Sequence, residues 1–347
     1  MMLYAGLDLS RKRLDVRVLD AEGETVAETT AAPDVDGLRV LAERVAGYGL
    51  PVRAAIESMN GARFVHDQLE FAGWDVEIAD ALKVKGLAPL ACKTDRIDAW
   101  VLAELARRDL VPAIWLPTPA VRAERERARF RLHLVRHRSA LKQRIHATLL
   151  AHGRPCPVSD LFGIGGRELL ASLELPESWN TTVDASLRVV DHLGDEITGC
   201  ERELRTLGAD HRYVPILMSA PGIAWILGYT IASEIGDIER FAAPEKLVGY
   251  TGLCARVYQS GERDRRGPLA KNGPKYLRWA MLEAAVHACR HPIYRERFLN
   301  TRRRLGRQRG PRVAQIDIAR RLTGAIWHML SRGEPFAPRG ATRALAA

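Results

Sequence analysis

Cysteine is scarce in this chain and follows no pattern. Its five, Cys92, Cys156, Cys200, Cys254 and Cys289, are scattered, and no two stand in C-x-x-C spacing. That excludes a zinc ribbon or a disulfide framework, and the odd count suits a reducing compartment. Long apolar runs are missing too. No segment approaches the roughly 18 apolar residues of a membrane span. The start, Met1-Met2-Leu3-Tyr4, has no basic lead-in to a signal peptide. These absences point to the cytoplasm. Acids are in the minority, 42 Asp and Glu against 52 Lys and Arg, for a formal net charge of +10. From Arg290 to Arg332 twelve arginines meet only two acids, Glu296 and Asp317. Such an imbalance implies a polyanionic partner, nucleic acid foremost, and places the protein at the nucleoid. Core-forming material is not lacking: 47% of the 347 residues are apolar, enough for two domains and a connector.

Four acids in the first hundred positions are the most informative residues present. Asp8 interrupts the apolar run Leu3-Tyr4-Ala5-Gly6-Leu7-Asp8-Leu9. Glu57 ends Val52-Arg53-Ala54-Ala55-Ile56-Glu57. Asp95 and Asp98 open a helix in Lys93-Thr94-Asp95-Arg96-Ile97-Asp98-Ala99-Trp100. Two acids at strand ends and two one helical turn apart suit Mg²⁺, a hard cation that takes carboxylate oxygens and leaves positions open for phosphate. Two carboxylates about 4 Å apart repel by roughly 4 kcal/mol at an effective dielectric near 20, and a divalent ion reverses the sign. Three of the acids also have a plainer reading. Asp95 and Asp98 suit a helix N-terminus, and Glu57 suits an arginine partner.

Apolar alternation predicts strands at 3–9, 14–19, 24–30, 52–57 and 74–79. Helices are expected at Val35–Tyr48, 62–72, Ala81–Leu87 and Asp95–Arg107. Three meandering strands followed by alternating helices and strands is the order of an α/β ribonuclease-H-like fold. Its first and fourth strands are neighbours, which would bring Asp8 and Glu57 together beneath Asp95 and Asp98. A basic helix over 119–152 contains Arg122, Arg125, Arg129, Arg136, Lys142 and Arg144, with apolar Phe130, Leu134, Leu141, Ile145 and Leu149. A heptad-like run over 182–208 contains Val183, Leu187, Val190, Leu193, Ile197, Leu204 and Leu207. The pair reads as a coiled-coil hairpin, broken by Pro155-Cys156-Pro157 and Phe162-Gly163-Ile164-Gly165-Gly166. The expected organisation is a ribonuclease-H-like domain at 1–112, an α-helical coiled-coil connector at 113–210, a mainly α C-terminal domain at 211–335 and a tail at 336–347.

The C-terminal part contains a second informative segment, Tyr258-Gln259-Ser260-Gly261-Glu262-Arg263-Asp264-Arg265-Arg266-Gly267. A serine hydroxyl needs a base or a metal to become a nucleophile, and no histidine lies in this loop. Arg263, Arg265, Arg266, Lys271 and Lys275 would hold phosphate, Lys275 opening a helix whose first amides also bind anions. The plainer reading is a polar turn. The block Arg302, Arg303, Arg304, Arg307 and Arg309 reads as phosphate-binding or as a solvated face. Glu283 and His287 are a helical pair with metal-ligand spacing, more simply a solvated face. Pro221-Gly222-Ile223 hints at a helix-hairpin-helix, more simply apolar packing. Trp225, Trp279 and Trp327 read as core.

Taken together these segments resemble the DEDD-type insertion-sequence transposases of the IS110 family, related to the Piv-type DNA invertases. The likeness covers Ala5-Gly6-Leu7-Asp8, Ile56-Glu57-Ser58 and the Lys93–Ala99 string. It continues through Ala220-Pro221-Gly222-Ile223, Phe241, Gly249-Tyr250-Thr251-Gly252-Leu253, Tyr258-Gln259-Ser260-Gly261, Lys271-Asn272-Gly273-Pro274 and Leu277-Arg278. The resemblance implies a RuvC-like domain holding Mg²⁺ through Asp8, Glu57, Asp95 and Asp98. It implies Ser260 as a nucleophile that becomes linked to DNA, and excision and insertion of an element by strand exchange. A non-coding bridge RNA would pair with donor and target DNA. An oligomer, dimer or tetramer, would join the acids of one protomer to the serine of another. Two departures stand out. Many members read Ala-Thr-Gly after the glutamate, whereas here Ser58-Met59-Asn60-Gly61 follows, and 80–92 lacks the common Asn-Pro.

Rival readings remain. A sugar kinase or actin-like ATPase needs glycine close after the first aspartate, where Leu9, Ser10 and Arg11 stand. A metal-only RuvC-like nuclease or junction resolvase would leave Ser260 a bystander. A non-catalytic nucleic-acid-binding protein would not need the four acids.

Overall fold

The computed structural model describes residues 1–87, 95–261 and 263–337, with backbone only at Asp95, Arg96, Asp264 and Arg266. Cys92, Lys93, Thr94, Glu262 and the tail beyond 337 lie outside the described residues. The chain divides into two compact units, Met1–Leu116 and Pro117–Ala347.

The first unit is a mixed sheet with helices on both faces. Its elements run β1 (Leu3–Leu9), β2 (Leu14–Leu19), β3 (Thr25–Ala31), α1 (Val35–Ala46), β4 (Val52–Glu57), α2 (Ala62–Phe71), β5 (Asp75–Ala79), α3 (Ala81–Leu87) and α4 (Asp95–Arg107). The sheet order is β3-β2-β1-β4-β5. The first three strands meander antiparallel, and β4 and β5 join parallel to β1. Strand side chains alternate between faces. Leu3, Leu7, Val16, Val52 and Ile56 therefore pack on one side with Leu38, Leu41, Val65 and Leu69 of α1 and α2. The other face is lined by small residues. Ala55 and Ala79 meet Leu102 and Ala106 of α4. Asp34 caps α1 by accepting from the Gly37 amide at 2.8 Å.

The second unit is mostly helical: α5 (Pro119–Ala151), α6 (Ile164–Ser172), α7 (Glu177–Ala209), α8 (Val214–Met218), α9 (Trp225–Ile235), α10 (Pro244–Thr251), the ribbon β6 (Ala255–Ser260) and β7 (Arg263–Leu269), α11 (Lys275–Ala288) and α12 (Pro292–Arg332). Helices α5 and α7 pack antiparallel, with Arg127 on Glu203 at 2.9 Å, Arg131 paired to Glu201, and His152 against Trp179 near the far end. Phe130 and Leu207 are exposed, at 48% and 41%. At that far end Ile145, Leu149, Leu161, Leu170 and Val183 form a small core of their own.

The break expected around Phe162–Gly166 holds a helix instead, α6. One of its glycines answers to packing: a Cβ on Gly166 would sit 2.3 Å from the Leu161 carbonyl. Helix α12 is two arms that fold back on each other. Gly306 breaks it with φ of 76°. Arg297 reaches Asp317 across the fold, Nη2 to Oδ1 at 3.2 Å, and a Cβ on Gly310 would lie 2.4 Å from the Arg302 carbonyl oxygen. The main core gathers Leu217, Ile231, Leu247, Leu277, Met281, Ile318, Leu322 and Ile326. Trp225, Trp279 and Trp327 pack partly buried against it. No helix among the described residues is long and apolar enough to cross a membrane.

Candidate active site

Asp8 is the penultimate residue of β1 and Glu57 the last of β4. The parallel register sets Leu7 beside Ile56, so the two acids stand on the next rung. Neighbouring strands are about 4.8 Å apart. Leu7 and Ile56 point to the α1–α2 core, so both acids project on the opposite face, towards α4. Each is half-buried. Helix α4 lies unusually close above them because β1 offers Gly6. A Cβ there would fall 1.7 Å from the Ala99 carbonyl oxygen and 2.4 Å from the Ala103 amide nitrogen. Asp98 precedes Ala99 and is half-buried. It shares a helix face with Leu102, which is buried against Ala55 and Ala79. Asp95 opens the same helix, and its side chain lies outside the described residues.

A further acid joins this face. Asp15 of β2 stands directly across from Asp8 in the ladder and is 8% exposed. Arg13 donates to it, Nε to Oδ2 at 2.8 Å. Like charges directly opposed in a ladder destabilise it, and Arg13 supplies part of the countercharge that this corner of the sheet favours. Asp8, Asp15, Glu57 and Asp98 offer carboxylate oxygens, which suit a hard divalent cation. No three His, Cys, Asp or Glu side chains are already drawn together as a metal-binding group among the described residues. Asp15 was legible in principle, because Leu14-Asp15-Val16 interrupts an apolar strand just as Asp8 does.

The far end of α4 is pinned. Arg107 donates to Glu104, Nη2 to Oε1 at 2.7 Å, and to the Ala21 carbonyl at 3.0 Å. Hydrogen bonding from Arg107, against the opposing effect of burial and with help from Arg108, holds the Glu104 carboxyl down at about 2. After Glu57 the chain turns at Gly61, whose φ of 95° is the left-handed region, and α2 begins at once. The glycine displaced by one place thus still makes the turn.

Ser260 ends β6 opposite Arg263, at the tip of an exposed two-stranded ribbon. Gly261, with φ of 57°, starts the reversal. Two short segments clasp the ribbon at its base. Ala270 donates to Cys254 at 2.8 Å and Lys271 to Gly252 at 3.1 Å. A Cβ on Gly252 would meet the Asn272 carbonyl at 2.2 Å, and one on Gly273 the Tyr250 carbonyl at 2.0 Å. Arg278 donates to the carbonyls of Thr251 and Asn272 at 3.3 and 3.2 Å. The segments Gly249–Leu253 and Lys271–Pro274 are therefore the two halves of one clasp. Gly222 serves packing in a similar way: a Cβ there would be 2.2 Å from the Ala284 carbonyl.

The basic residues divide by use. Arg125 is 8% exposed and donates to the carbonyls of Ser233 and Glu234 at 2.9 and 2.6 Å. Arg129 binds the fully buried Glu234 carboxylate through two hydrogen bonds, at 2.6 and 2.9 Å. These charges serve the fold. Arg263, Arg265, Lys271 and Lys275 are exposed on or beside the ribbon, and Arg302, Arg303, Arg304, Arg307 and Arg309 are exposed around the α12 fold-back. The side chain of Arg266 lies outside the described residues. Glu283 and His287 are exposed on α11.

An acid corner under a helix in an α/β sheet, followed by a helical unit presenting a serine and arginines, defines a class of DNA-processing enzyme. Comparison with known proteins narrows it. Residues 5–153 match the IS110-type DEDD transposase domain, and residues 214–299 match the family described as "Transposase IS116/IS110/IS902 family". The chain is similar to the transposase for insertion sequence element IS1328 of Yersinia enterocolitica, with 25% identity over 95% of this chain and 97% of that one. It is also similar to a probable family 20 transposase of Pseudomonas aeruginosa, with 24% identity over 96% and 98%. A third relative is the transposase for insertion sequence element IS1111A of Coxiella burnetii, with 24% identity over 70% and 68%. The chain belongs to the IS110/IS116/IS902 family of DEDD transposases. It is a DNA transposase, and the match that takes in its first unit is to a ribonuclease-H-like DEDD domain.

Proposed function

We propose that this transposase moves its element by DNA strand exchange through a serine–DNA intermediate, with Asp8, Glu57, Asp95 and Asp98 holding Mg²⁺. The observation that supports the acid half is the shared rung of Asp8 and Glu57 beneath a helix seated on Gly6. A divalent ion bound there would supply a positive charge for phosphate oxygens and for a developing oxyanion. The serine half is supported by an exposed hydroxyl at a glycine turn, flanked by exposed arginines. In the step itself a bond forms between Ser260 Oγ and the scissile phosphorus. The bond from that phosphorus to one deoxyribose oxygen breaks, and that oxygen leaves as a hydroxyl. The hydroxyl proton of Ser260 passes to a base, which returns it to the departing oxygen. The described ribbon residues offer none, and we assign that role to the acid set of a neighbouring protomer in a dimer or tetramer. Arg263 and Arg265 neutralise the phosphate. Because the phosphodiester energy stays in the serine ester, the reverse step can join a new strand. The exposed arginines of the α12 fold-back suit DNA or a folded bridge RNA, since both are held largely through phosphate.

Trapping tests the reading. Denaturing a reaction with the element's own junction DNA should release a protein–DNA adduct, absent for Ser260→Ala and for Asp8→Asn. DNA cleavage by Ser260→Ala without any adduct in the parent would leave a metal-only nuclease. An RNA that co-purifies, and whose removal stops the reaction, tests the guide.

A further inference from the structure

The ribbon has a face that the serine reading does not use in full. Residues alternate along a strand, and directly opposed residues of an antiparallel pair share a face. Tyr258 opposes Arg265, and Ser260 opposes Arg263. These four lie on one side. Arg256 joins them: a Cβ on Gly267 would stand 3.7 Å from the Arg256 Cβ and 3.8 Å from Tyr258 Cε2. Tyr258 is 61% exposed, an aromatic ring left in water on a strand with few contacts of its own. Among the described residues of this face there is no acid. An exposed ring framed by arginines is what a nucleobase and its phosphates require.

We propose that Tyr258 is a base-stacking platform for a nucleotide adjacent to the phosphate that meets Ser260. The proposal rests on the serine reading for its placement next to the reacting bond. Its occupant follows from the ring. A base inside a duplex has both flat faces covered by its neighbours, so a base that lies on the exposed face of Tyr258 is drawn out of the stack. The ribbon takes single-stranded or locally melted DNA, not an intact duplex. Arg265, across from Tyr258, sits beside the stacked nucleotide, and Arg263 beside the reacting one. Tyr258 is a positioning residue. The base it holds is chosen by its flat face and not by its edge, so sequence is read elsewhere.

The test uses full-length protein in the Ser260→Ala background, so that no chemistry intrudes. The probe is a single-stranded oligothymidylate carrying one 2-aminopurine, whose fluorescence falls when it stacks on a ring. Binding should quench it. Tyr258→Phe should quench equally. Tyr258→Leu should lose the quench and bind about 5- to 150-fold more weakly, the range expected for one base–aromatic stack. Arg263→Ala should weaken binding in a salt-dependent way and keep the quench. Unchanged melting of Tyr258→Leu checks that the fold is intact. Full quenching and affinity in Tyr258→Leu, or no quench in the parent, overturns the platform. Quenching in a protein whose wild type never forms an adduct supports the platform and removes the serine reading alone.

Discussion

Asp8 and Glu57 stand on neighbouring central strands, with apolar cores on both sides of their sheet, whereas Ser260 stands at the end of a two-stranded ribbon exposed from Arg256 onward. The acid corner is built by close approach. Gly6, Ala55, Ala99 and Ala103 let a helix settle on the strands, and the carboxylates inherit the rigidity of that packing. The ribbon is built by suspension. A clasp of backbone hydrogen bonds and left-handed glycines grips its base, and its tip is free. A metal site needs donors fixed to within a fraction of an ångström. On the proposed reading, a serine that must reach a bulky strand, and later release it, gains from a mount held only at its base. The difference predicts which substitutions act through stability and which through chemistry alone.

The strongest test removes what lies beneath the clasp. Glu234 is fully buried between Arg125 and Arg129, and Arg125 also reaches the Tyr250 hydroxyl at 3.4 Å. Tyr250 is the residue whose carbonyl Gly273 grips. Arg129→Met strips Glu234 of its two short hydrogen bonds and leaves a carboxylate without water. Breaking such a pair costs about 3–5 kcal/mol. Denaturant unfolding of the second unit should show that loss, and adduct formation should fall with it.

Next comes one substitution at two glycines. Gly6→Ala forces a methyl to within 1.7 Å of a carbonyl oxygen, so α4 must lift. Overpacking of this kind costs about 1–3 kcal/mol, and it should lower the melting of the first unit while abolishing strand transfer. Gly261→Ala meets nothing within 4 Å. It bears only the left-handed backbone penalty, about 1–2 kcal/mol and local to the turn. The exposed turn can open without unfolding the helical core, so melting should hardly move while the adduct rate drops. Equal losses of stability at both sites would break the contrast between packed and suspended mounts.

Local pattern explains why some of this was readable. Alternation in Leu3–Leu9 and Val52–Glu57 fixed both strands and the face of their acids, and the order of elements was enough to seat β1 beside β4. What stayed hidden depends on distant partners. Arg125 and Arg129 read as part of a basic stripe because Glu234 lies more than a hundred residues away. Gly163, Gly165 and Gly166 read together as a breaker, because the close packing of Gly166 on the Leu161 backbone leaves no mark in the local pattern. The paired motifs around Gly252 and Gly273 were legible as family-like strings, but their closing on each other was not. Gly306 breaks α12, but the folding back of its two arms rests on the Arg297–Asp317 contact, which no local pattern shows.

The smallest effect concerns the far end of α4, where Glu104 joins Arg107 and Arg108 and so fixes the helix that bears Asp98. The Glu104 carboxyl titrates near 2 in the fold, below the roughly 4.3 of an unfolded chain. A depressed carboxylate stabilises the fold fully above its unfolded value, and that stability fades as pH falls through the folded one. Glu104→Gln should therefore destabilise the first unit at pH 7, by about 1 kcal/mol once solvent screening of the exposed Arg108 is allowed for. The gap between the two proteins should close between about pH 4 and pH 2. Because Arg107 also ties this corner to the Ala21 carbonyl, the variant should retain its helix and lose only a modest share of strand transfer. If the gap persisted unchanged at pH 2, the ion pair would not be its source, and the pinning of α4 would rest on the Arg107 carbonyl contact and the alanine packing alone.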